Sequence, residues 1–157
     1  MKSFVLVLAL SLATACGGGG DATQKAAKAT YIKHAEEICA KAVADRKALK
    51  APLSVPEFAP FVAKVVAIAD KAATQLLALT EPAKDKKDLD AKVIGPLREQ
   101  VARGHAYAAQ VAAASRANDQ AALTRLLGNP PTDTKADLRW MKRYGFSSCV
   151  DAADTSG

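Results

Sequence analysis

Apolar residues recur every three to four positions along most of the chain, the spacing of helix faces rather than of strands, and they divide it into four helical regions. The first runs from Thr30 to about Lys50, with Thr30 placed to cap it. Ile32, Ala35, Cys39, Ala42, Val43 and Leu49 define its inward stripe, and Lys33, Glu37, Lys41 and Lys47 lie off it. Ala51-Pro52-Leu53-Ser54-Val55-Pro56 breaks this helix. Ser54 with Glu57 three residues later has the form of a capping box for a second helix, from about Pro56 to Leu79. Phe58, Phe61, Val62, Val65, Ala69, Ala72, Leu76 and Leu79 make its stripe, the most hydrophobic of the domain.

After a polar connection from Thr80 to Lys87, a third helix spans roughly Asp88 to Ala117 on a seam of Val93, Leu97, Val101, Gly104, Ala108, Val111 and Ser115. Gly95-Pro96 predicts a kink or break within it. Asn118 suits a left-handed closing conformation, and Asp119 can cap the next helix. The fourth region, Gln120 to Tyr144, is split by Gly128-Asn129-Pro130-Pro131. Ala121, Leu123, Leu126 and Leu127 belong to its first part; its second starts near Thr132 or Asp133 and carries Leu138, Met141 and Tyr144. Gly145-Phe146 reads as a glycine stop with an apolar residue folding back, just before Cys149.

Four long helical regions with short connections predict an all-α fold, a four-helix up-and-down bundle with its third and fourth helices kinked or broken. Composition points the same way: alanine dominates the apolar fraction and aromatics are only 5%, which favours closely packed helices over sheets. Residues 30–150 are expected to form the bundle and 151–157, small and acidic, a loose tail.

The chain opens differently. Lys2 precedes an apolar run from Phe4 to Leu12, too short to span a bilayer and of the form of a signal peptide covering residues 1–15. Ala13-Thr14-Ala15-Cys16 resembles a bacterial lipobox, whose cysteine receives a diacylglyceryl group; the usual Leu three places before the cysteine is here Ala13. The alternative is ordinary signal-peptide cleavage at the same bond, leaving a free soluble protein. The lipobox reading makes Cys16 the lipidation site, 16–29 a flexible linker starting with the glycine tract 17–20, with the Lys/Ala-rich 21–29 open to either frayed helix or linker, and the location the extracytoplasmic face of a bacterial membrane. If Cys16 carries lipid, Cys39 and Cys149 are an even pair in an oxidising compartment, expected as a disulfide; the alternative is two buried free thiols.

Tyr31-Ile32-x-x-Ala35-x-x-Ile38-Cys39 near the start and Tyr144-Gly145-Phe146-x-x-Cys149 near the end resemble a group of small bacterial exported lipoproteins. In these a Phe/Tyr-Ile-x-x-Ala-x-x-Ile-Cys helix opens the domain and a Gly-Leu/Phe-x-x-Cys motif closes it, with Pro-punctuated Ala/Leu helices between. The resemblance covers most of the chain after Cys16 and implies a structural pair of cysteines but no catalytic residues. The Gly128–Pro131 break departs from the continuous last helix it implies.

Candidate chemistry is sparse. His34 has Glu37 at i, i+3 and His105 has no companion in sequence, short of the three or four converging ligands of a metal site. The chain has no Cys-x-x-Cys-His haem attachment, no Gly-x-Ser-x-Gly elbow and no strand–helix phosphate loop after its glycines, so neither an enzyme nor a cofactor is expected. The net charge of +6 is spread along the chain, and with export expected, nucleic acid is not a predicted partner.

Two function classes remain. One is a membrane-tethered, non-catalytic interaction or structural module that contacts an envelope protein or an anionic surface. The other is a carrier of a small ligand (lipid, haem or metal) in a space between helices opened by Gly104, Ala108, Ala112 and Ser115, residues that equally suit close helix packing. The candidate contact surface is the last helix, where Lys135, Arg139, Lys142 and Arg143 share a face with Trp140 and Tyr144 beside it. The competing reading is a basic last turn favoured by the helix dipole, with Trp140 filling core that alanines leave thin.

Overall fold

Alanine, lysine and glutamine are strong helix formers, and they carry the first helix, α1 (Gly19–Lys47), further toward the N-terminus than Thr30. The computed structural model describes residues 19–131 and 134–154. Cys16 and the expected signal peptide lie outside the described residues. Residues 19–29, placed in the linker with frayed helix as the alternative from 21, are helical, and tertiary contacts explain why. Asp21 stands in the first turn, where the dipole favours an acid, and pairs with Lys84. Lys28 lies 3.7 Å from Asp85 and 3.8 Å above the Tyr144 ring. Periodicity alone carries no trace of these partners.

The second helix, α2 (Val55–Leu77), starts where Ser54 and Glu57 predict, with different wiring. Ser54 is extended and its hydroxyl makes no capping bond; the Glu57 carboxylate accepts the Leu53 N–H at 2.9 Å. Phe58, Val62 and Ala73 are its buried residues, while Ala69, expected inward, is exposed.

Gly95-Pro96 interrupts the third region as expected, and the interruption takes a specific form. A short α3 (Lys86–Leu89) passes into a π-helical turn (Asp90–Ile94) and then into α4 (Gly95–Arg116). The Gly95 N–H donates to the Asp90 carbonyl, five residues back, and a Cβ at position 95 would stand 3.0 Å from that oxygen. Pro96 has no N–H to offer the carbonyl four residues back, that of Lys92. That carbonyl instead accepts the Asp137 N–H at 3.1 Å, so the defect in one helix receives the start of another.

α4 ends on Asn118, whose φ of 53° is the left-handed stop expected of it. The Asn118 N–H donates to Ser115 and the Asp119 N–H to Ala114, the bond pair of a Schellman motif. The Asp119 carboxylate then caps α5 (Gln120–Leu127), accepting the Ala122 N–H at 2.9 Å. Beyond α5 the chain returns along α4. Tyr107 donates to the Leu126 carbonyl at 2.9 Å, Gln100 to the Pro131 carbonyl at 3.1 Å, and Lys135 pairs with Glu99 at 2.9 Å.

α6 (Leu138–Tyr144) begins later than Thr132 or Asp133, two residues outside the described set. The start is fixed by Asp137: its carboxylate accepts the Trp140 N–H at 2.9 Å while its own N–H is committed to Lys92. Gly145 closes α6 with φ +117°, and Phe146 folds back to a 2% exposed position. The chain does not then trail away. Residues 147–154 form α7 (Ser147–Asp154), correcting the loose tail expected from position 151; residues 155–157 lie outside the described set.

Cys149, in α7, is bonded to Cys39 in α1 across 110 residues of sequence, with Cα atoms 4.9 Å apart. The free-thiol alternative is thereby set aside. The molecule is an all-helical bundle with no strand among the described residues. Its apolar interior has two centres. One gathers Tyr31, Ala35, Leu89, Met141, Tyr144 and Phe146 around the disulfide; the other gathers Phe58, Val62, Val111, Ala114 and Leu123 where α2, α4 and α5 meet.

Two glycines separate a required from a tolerant position. A Cβ at Gly145 would combine positive φ with a 3.2 Å approach to Ile32 Cδ1, whereas Gly128 has φ −75° and only ordinary contacts. Gly145→Ala is expected to destabilise by about 1–2 kcal/mol and Gly128→Ala by less than about 0.5 kcal/mol. Urea unfolding of the two variants checks this, and equal midpoints would contradict it.

Candidate functional site

The candidate contact residues do not share one face. Lys135 precedes α6 and pairs with Glu99, which also faces Arg103 at 3.6 Å. The Lys135 ammonium, hydrogen-bonded to Glu99, holds that carboxyl below its ordinary value. Spacing alone places Lys135 on the helix because the Asp137 cap and its bond to Lys92 leave no mark in residue spacing. Arg139, Lys142 and Arg143 are on α6 and exposed. Arg139 and Arg143 border an open groove of about 560 Å³ with Ala136, Asp137 and Leu138.

Trp140 turns the other way. It is partly buried and packs against the disulfide-centred cluster, with its ring stacked on Tyr144 at 4.6 Å and Lys92 Nζ 5.1 Å from the indole centroid. Tyr144 continues the aromatic run to Phe146 at 5.0 Å, and Phe146 meets Tyr31 at 6.0 Å. Trp140 therefore belongs chiefly to the interior, as the competing reading has it, and the exposed part of the surface is cationic.

Around this run lies a set of charges that sequence spacing does not bring together. The Tyr144 hydroxyl donates to Asp85 at 2.7 Å, beneath Lys28. Lys86 bridges Glu81 and Asp90, the latter at 3.0 Å. Burial, then the neighbouring Glu81 and Asp90, pushes the Tyr31 hydroxyl up to about 12; burial, then its hydrogen bond to Asp85, pushes Tyr144 up further.

The residue most completely missed from sequence is Glu36. Its carboxylate accepts the Ser148 N–H at 2.8 Å and the Cys149 N–H at 3.3 Å, capping the first turn of α7 from α1. These amides have no intrahelical acceptor, and a carboxylate there also meets the positive end of the helix dipole. The available signal is its place beside the Ala35 and Cys39 stripe, on the flank that the second cysteine has to approach.

The two histidines remain apart. His34 lies 3.5 Å from Glu37, and His105 bridges from α4 to Asp70 of α2 at 3.0 Å. Among the described residues no three or more His, Cys, Asp or Glu side chains are grouped to hold a metal, and no helix is long and apolar enough to cross a membrane. Within the small-residue seam, a Cβ at Gly104 would stand 3.8 Å from Val66, the ordinary contact distance of two packed helices. Comparison of the chain with protein-family models, curated proteins and solved structures gives no match in any of the three.

The raised tyrosine values set a pH window. An unfolded chain begins to lose tyrosine protons near pH 10, while the fold holds them, so this contribution is complete below pH 10 and is lost as pH rises toward about 12. Thermal midpoints are expected to fall steeply across that interval and less steeply in Tyr31→Phe. Identical pH profiles for the two proteins would contradict the assignment.

Proposed function

We propose that the chain is a lipid-anchored helical lipoprotein on the extracytoplasmic face of a bacterial membrane, acting by contact rather than by catalysis. The observation that carries this is the Cys39–Cys149 disulfide, the kind of crosslink that persists outside the reducing cytoplasm. It accounts for two of the three cysteines, and the third stands at the signal-peptide junction, where a diacylglyceryl acceptor belongs. The order of contacts along α4 supports an up-and-down arrangement of four staves, in which α5, the connection after it and α6 together make the fourth. In this reading α7 is a clasp added to the first stave.

The contact function rests on what the surface offers. Exposed Arg139, Lys142 and Arg143 on one short helix suit an anionic surface or an acidic envelope protein. The sequence contains no arrangement of nucleophile and base to suggest turnover, which favours a structural or interaction role.

Expression of the full chain in a bacterium that processes lipoproteins tests the anchor. The membrane fraction is expected to yield a mature protein whose intact mass is that of a chain starting at Cys16 plus its acyl groups, and Cys16→Ala is expected to abolish that mass. A soluble mature form starting at unmodified Cys16 would overturn the proposal.

A further inference from the structure

We infer that the end of the bundle where α1 begins rests directly on anionic phospholipid headgroups, with Lys25, Lys87, Lys142 and Arg143 making the contact; this rests on the proposed lipidation of Cys16. The first support is the length of the tether. Cys16 stands three residues before Gly19, the first residue of α1. Three residues of chain reach at most about 10 Å, against roughly 45 Å for a flexible linker over residues 16–29. The start of α1 is therefore kept within about 10 Å of the headgroup layer, a distance comparable to the screening length of about 8 Å at physiological ionic strength.

The second support is what the fold gathers at this end. The connection after α2 is joined to α1 through Lys84 with Asp21 and Asp85 with Lys28. The last turn of α6 arrives through Tyr144, which lies under Lys28 and donates to Asp85. The shortened tether and the basic turn of α6 thus belong to one end of the molecule. Lys135, engaged with Glu99 further along α4, is not part of this surface.

The third support is the balance of charge. The acids of this end each have a lysine partner, Asp21 with Lys84, Asp85 with Lys28 and Asp88 with Lys92, while Glu81 and Asp90 share Lys86. Lys25, Lys87, Lys142 and Arg143 are exposed and have no such partner among the described residues. With these four cations added, positive charges at this end outnumber the acids named, so its balance is opposite in sign to an anionic lipid surface, and it is held where the tether keeps it close. A domain on a long leash would sample this surface only in passing; one held on a three-residue stub is oriented by it.

Lysine footprinting of the intact, membrane-purified protein on preformed vesicles tests the orientation. Lys50, beyond the far end of α1, and Lys64, in the first half of α2, serve as internal references. On phosphatidylglycerol-containing vesicles, acetylation of Lys25, Lys87 and Lys142 is expected to fall about threefold or more relative to phosphatidylcholine vesicles, with the references unchanged and the difference lost in high salt. An acylated protein whose five lysines label alike on both vesicles would overturn the orientation and leave the anchor standing. An intact mass showing no acyl group would overturn both.

Discussion

The structure depends on the closure of α7 onto α1. An isolated eight-residue helix is not stable in water, and α7 has only eight residues. Three interactions hold it in place: the covalent bond from Cys149 to Cys39, the Glu36 carboxylate on its first amides, and the burial of Phe146 against Tyr31 just before it. On the chain-entropy model a crosslink closing a loop of this length stabilises by about 4–5 kcal/mol, a large part of the 5–15 kcal/mol typical of a domain. An alanine-rich interior makes that contribution matter, because small side chains bury little area each. Large residues gather at this bond as well, where Leu89, Met141, Tyr144 and Trp140 surround it.

A second constraint brings those residues to the bond. Pro96 leaves the Lys92 carbonyl without its usual helical donor, the preceding turn widens to a π-helix, and Asp137 takes the vacant acceptor while capping α6. One irregularity thus sets both where α6 starts and which way it runs, placing Tyr144 over Asp85 and Phe146 against α1. The opposite end needs no such device. Phe58, Val62, Val111 and Leu123 interdigitate between α2, α4 and α5 by ordinary helix packing.

Local punctuation is legible in the sequence: Asn118 with Asp119, Gly145 with Phe146, and the interruption at Gly95-Pro96 all act where residue type predicts. These positions act through their own backbone, so a few neighbouring residues contain the information. The disulfide is legible by elimination. Features that stay hidden depend on partners distant in sequence. The early start of α1 owes its docking to Lys84 and Asp85, the delayed start of α6 to Lys92, and the helicity of α7 to Glu36. Lys135 is misassigned to a helix face for the same reason, since spacing cannot register a capping residue whose amide is held by another helix.

If the α1–α7 closure is what organises one end, the two apolar centres should respond differently to its loss. Amide hydrogen exchange, followed by mass spectrometry with and without reductant, is the direct measurement. Reduction is expected to strip protection from α7, from α6 and from α1 between Gly19 and Cys39, while the α2 and α4 amides around Phe58, Val62 and Val111 keep most of theirs. Uniform loss of protection along the chain, or none in α7, would contradict the account.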